Sequence, residues 1–123
     1  MATIIDTTTP ARIDYTVWQG DDFAPGTITA DVSGTPINFT GYSAKMEIRL
    51  ATTNEVQLTL TSPSSGITLS SVGVITITMT AAQTNALAAG EYRYDLQITS
   101  PLAKIKTYTW GMIIVSNDVT ANA

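Results

Sequence analysis

The chain has 123 residues, 44 % of them apolar and only 13 % charged, with six basic and ten acidic side chains and a net charge of −4. That length suits one domain and not two, and the acidic balance argues against nucleic acid and against a polybasic membrane contact. Cysteine and histidine are both absent, which removes disulfides, zinc–thiolate sites, thiol nucleophiles and the commonest general base.

Met1 to Pro10 has no basic start and no long apolar centre, so it does not read as a signal peptide. No apolar run approaches the roughly 20 residues a membrane helix needs. The expectation is synthesis in the cytoplasm, with residues 1–10 a loose arm because they lack periodicity. The arm nevertheless carries two adjacent apolar residues, Ile4 and Ile5. From Arg12 to Gln19 the pattern alternates, with Ile13, Tyr15 and Val17 on one face, which is a half-buried strand. Gly20-Asp21-Asp22 closes it. Ile28, Ala30 and Val32 then share a face, and Ser33-Gly34-Thr35-Pro36 is a turn by composition. In the next strand Lys45, Glu47 and Arg49 point one way while Met46, Ile48 and Leu50 point the other.

Thr52-Thr53-Asn54 turns the chain into a strand lined by Val56, Leu58 and Leu60. A short piece from Ile67 to Leu69 suits a sheet edge. Ile75, Ile77 and Met79 follow, alternating with threonines. Thr80 to Leu87 carries the one helical signal, because Thr80 and Gln83 have capping-box spacing, and Gly90 is placed to end the turn with a positive φ. Tyr92, Tyr94, Leu96 and Ile98 form the next inward face, opposite Glu91, Arg93, Asp95 and Gln97. The last run, Lys104 to Val115, loses its alternation near Gly111, where glycine marks a bulge or a close backbone approach. The pattern predicts an all-β, antiparallel β-sandwich of about seven to eight strands with one short crossover helix. The sandwich spans 11–119 and a polar tail spans 120–123.

Residues with chemical potential are few. Asp21-Asp22 lacks the spacing of a calcium loop and reads as a solvated turn. Asp95, Glu91 and Glu47 read as a solvated outer face and not as paired catalytic carboxylates. The many Ser and Thr hydroxyls have no base to activate them. No enzyme activity, no metal and no cofactor is expected. Trp18 and Trp110, with Tyr15, Tyr42 and Tyr108, suit core or inter-sheet packing, and less readily an aromatic platform for sugars.

Gly90-Glu91-Tyr92-Arg93-Tyr94 resembles the start of the sixth strand of immunoglobulin-like domains. The resemblance implies a tyrosine corner at Tyr92, with the phenol bonded to upstream backbone. It places Tyr94 where antibody domains carry a cysteine, so Tyr94 must fill that core space itself.

Several fragments together resemble a further group. They are Gln19-Gly20-Asp21-Asp22-Phe23, Phe39-Thr40-Gly41-Tyr42, Lys45 to Leu50, Gly90 to Leu96, Gly111 to Val115 and Asp118-Val119-Thr120. Their order and spacing are similar to small immunoglobulin-like virion proteins of tailed bacteriophages, including N-terminal domains of upper baseplate proteins. The resemblance implies a structural virion protein, either a capsid decoration or cement unit or a tail or baseplate adaptor. It also implies a homo-oligomer partnered by phage capsid or tail proteins. Ile4, Ile5, Trp18 and Phe23 are the expected partner contacts, and Gly90, Tyr92, Tyr94 and Gly111 the structural positions. The alternative on the same aromatics is a carbohydrate-binding or adhesion module that takes a glycan on a host surface.

Overall fold

The computed structural model describes residues 3–6, 10–24, 27–32, 34–62 and 65–117. Its strands are β1 (Thr3–Asp6), β2 (Ala11–Arg12), β3 (Tyr15–Trp18), β4 (Thr27–Val32), β5 (Thr35–Pro36), β6 (Ser43–Leu50), β7 (Val56–Thr61), β8 (Ile67–Leu69), β9 (Val74–Ile77), β10 (Gly90–Thr99) and β11 (Ile105–Ser116). The helix α1 (Ala81–Ala86) crosses between β9 and β10. One sheet runs β1-β4-β9-β8, with β5 hooked onto β4. The other runs β2-β11-β10-β6-β7, with β3 also on β11. Antiparallel pairs dominate, and this is the strand order of an immunoglobulin-type sandwich.

The alternation read from the sequence builds the core directly. Met46, Ile48, Leu96 and Ile113 of the larger sheet and Ile67 and Ile75 of the smaller one are fully buried. Burying each such side chain stabilises the fold by about 1.5–3 kcal/mol. The capping box of α1 is complete: the Thr80 hydroxyl accepts from Gln83 N and the Gln83 side chain accepts from Thr80 N.

The structure corrects the sequence reading in five places. Within the expected arm of residues 1–10, Thr3–Asp6 are not loose, because they pair in parallel with β4 and place Ile5 opposite Ala30. Ile5 is buried in the core. Four residues are too few to show a period, yet their backbone closes an otherwise open sheet edge. The strand expected from Arg12 to Gln19 is broken at Ile13–Asp14 into β2 and β3. Thr35-Pro36 are not only a turn but pair with Asp31 and Val32. Gly90 does not end the helix. The helix ends at Leu87, which turns extended and is buried, and Gly90 opens β10 opposite Val115 with φ 150. The bulge in β11 is at Tyr108, where the register jumps from Thr107 to Thr109, so two successive residues, Tyr108 and Thr109, are both buried. The expected tail at 120–123 and the Asp118-Val119-Thr120 fragment lie outside the described residues.

Candidate interaction surface

The break between β2 and β3 shapes one face of the molecule. Arg12 pairs with Trp110 and Tyr15 with Ile113, so Ile13 and Asp14 pass over Gly111 between the two pairings, with Ile13 N donating to the Trp110 carbonyl at 2.9 Å. Side chains hold the rest of the crossing. The Ile13 carbonyl accepts from the Tyr94 hydroxyl at 2.6 Å, and the Asp14 carboxylate accepts from Met112 N at 2.9 Å. A Cβ on Gly111 would run into the Ile13 carbonyl and stand 2.6 Å from Asp14 Oδ1, so the close backbone approach requires glycine. The Met112 N–H, and then the Arg12 guanidinium at 3.1 Å, hold the Asp14 carboxyl below its usual range.

Beyond this crossing, the outer face of the larger sheet carries two adjacent rows of side chains. One row reads Arg12, Trp110, Asp95, Glu47 across four neighbouring strands. The next reads Asp14, Met112, Arg93, Arg49. Trp110 is 44 % exposed, and the Arg12 guanidinium lies 5.2 Å from its ring centre, a cation–π contact. Glu47 bonds along its own strand to Arg49 at 2.8 Å and to Lys45 at 3.6 Å. The Arg49 hydrogen bond is the main cause that lowers its pKa. Across the strands the charges are alike, because Glu47 faces Asp95 and Arg49 faces Arg93. Arg93 and Asp95 take part in none of the ion pairs among the described residues. The rows enclose an open groove of about 640 Å³ lined by Trp110, Met112, Arg93 and Arg49. An exposed indole beside guanidinium groups and a half-buried thioether is the composition of protein interfaces.

The expected site residues are distributed unevenly over this picture. Tyr92 Oη donates to the Ala88 carbonyl, four residues upstream, at 2.6 Å, and Tyr94 fills core space beside Tyr15. Phe23 is buried against Tyr15 and makes a two-bond bridge to Met79, so it is not available as a partner contact. Ile5 is buried as well, and of Ile4 the structure describes the backbone, which lies in β1 opposite Thr29. Trp18 is 50 % exposed and sits beside Ser116 at the far end of β11. The core role expected of the aromatics therefore fails for both tryptophans, which project from the outward positions of β3 and β11. Asp22 is engaged by α1, its carboxylate accepting from Ala81 N. No three His, Cys, Asp or Glu side chains among the described residues are grouped to hold a metal ion. The sequence reading gives Arg12, Arg93 and Met112 no functional role and Asp95 only a place on a solvated outer face. Alternation marks them as outward, but only cross-strand register makes them neighbours.

The sequence matches no family model and no curated protein. Among solved structures, the chain is similar to the N-terminal domain of phage TP901-1 ORF48, with a TM-score of 0.54 and 13 % identity over 94 % of this chain and 96 % of that one. It also matches Drosophila OTK extracellular domains 3–5, with a TM-score of 0.29 and 11 % identity, covering 89 % of this chain and 33 % of that one. The first likeness is one of fold, and the second is too remote to bear on the molecule.

Proposed function

We propose that this chain is a structural unit of a tailed-phage particle, an adaptor of the tail or baseplate that works by binding protein and not by catalysis. The observation that carries the reading is the reciprocal match to the N-terminal domain of phage TP901-1 ORF48, in which nearly all of each chain is used. The ordered fragments from Gln19 to Val115 that resemble upper-baseplate domains point the same way. The exposed Trp110 and Arg93 and the half-buried Met112 of the outer sheet face supply a surface suited to a protein neighbour.

The test is to purify assembled particles and probe them by mass spectrometry and immunogold labelling. The chain is expected at a fixed copy number, with label at the tail end. Its absence from washed particles overturns the proposal, and label over the heads moves the unit to the capsid shell. Glycan-array binding that is lost on Trp18→Ala would favour the adhesion module instead.

A further inference from the structure

We infer that the outer face of the larger sheet is a self-complementary surface that pairs with a second copy of this chain about a twofold axis. The inference rests on side-chain placement and does not depend on the phage reading. The two rows have opposite character strand by strand. Arg12 stands beside Asp14, Trp110 beside Met112, Asp95 beside Arg93 and Glu47 beside Arg49. A twofold axis in the plane of contact, perpendicular to the strands and midway between the rows, sets each row over the other row of the second copy. Arg12 then faces Asp14, Asp95 faces Arg93 and Glu47 faces Arg49, each pair formed twice, as an isologous interface demands. Trp110 faces Met112 of the second copy, a favourable sulfur–aromatic contact.

The single copy supplies the motive. Like charges directly opposite in a sheet are unfavourable, yet Glu47 faces Asp95 and Arg49 faces Arg93. Arg93 and Asp95 have no ion-pair partner among the described residues. A second copy supplies the missing counter-charge to both. Five strands about 4.8 Å apart, read over about eight residues at about 3.4 Å, present a footprint of roughly 650 Å². Two such footprints reach the low end of stable protein interfaces, so the dimer dissociates on dilution.

The experiment is analytical ultracentrifugation of the full chain over a concentration series, with circular dichroism to monitor folding. The wild-type protein is expected to dimerise reversibly, less tightly at high salt. Arg93→Glu and Asp95→Lys each set like charges against each other twice, and each is expected to weaken the dimer about tenfold or more. Mixed together, the two variants form a heterodimer in which both contacts are complementary, so dimer returns only on mixing. Trp110→Ala, which removes an exposed ring and no charge, is a second probe and is also expected to weaken the dimer. Four outcomes overturn the inference: a wild-type chain monomeric at about 0.5 mM, single charge variants as dimeric as the wild type, a mixture that remains monomeric, or a Trp110→Ala dimer of undiminished affinity.

Discussion

Gly111 is the residue on which the local geometry turns. The space a side chain would occupy there holds the Ile13 carbonyl, which is itself pinned by the Tyr94 hydroxyl. Gly111→Ala is expected to destabilise the fold by about 1–3 kcal/mol through forced displacement of the crossing, read as a lower urea midpoint. Asp14 has a different signature. Its pKa is depressed in the folded state, so its contribution is present above the ordinary carboxylate pKa of roughly 4 and is lost as pH falls through the folded value. Asp14→Asn is therefore expected to flatten the acid limb of the stability profile, and an unchanged limb would show that the carboxylate is not held there.

At the level of elements, two predictions separate the core from its fastenings. Ile48 and Leu96 are fully buried on the neighbouring strands β6 and β10, whereas Glu47 lies on the outer side of β6. Ile48→Ala and Leu96→Ala are each expected to cost about 2–5 kcal/mol, and Glu47→Ala far less. The reverse order in chemical denaturation would mean a register wrong by one residue. The helix is clasped to the loop after β3 by polar contacts. The Thr84 hydroxyl accepts from Gly20 N at 3.1 Å and donates to the Asp21 carbonyl at 2.7 Å, while Gln19 Nε2 donates to the Leu87 carbonyl at 2.7 Å. Thr84 is completely buried, so Thr84→Val is expected to cost about 1–3 kcal/mol although it preserves shape. Amide exchange that quickens only over α1 and the Gln19–Phe23 loop would locate the effect.

Across the whole molecule, burial raises the pKa of Tyr15, Tyr92, Tyr94 and Tyr108. A neutral phenol with a raised folded pKa contributes stability that is complete below its ordinary pKa of about 10 and is lost as pH rises through the folded value. The protein is expected to lose thermal stability above roughly pH 10, and Tyr94→Phe should reduce that slope. A melting temperature independent of pH in that range would contradict the burial of these hydroxyls.

Features carried by neighbours along the chain were legible without coordinates. Period-two alternation marked Met46, Ile48, Leu96 and Ile98 as core, because a strand turns successive side chains to opposite faces. The Thr80–Gln83 box and the close approach at Gly111 were legible for the same local reason. What depended on contacts between distant segments was not. Thr3–Asp6 became a strand only because β4 offered an open edge, and four residues carry no period of their own. The break at Ile13–Asp14 arises from a crossing nearly a hundred residues away in sequence. The two-row charge pattern exists only once register sets Asp95 beside Glu47 and Arg93 beside Arg49. A slip of one residue would abolish that pattern while leaving the composition of every strand unchanged.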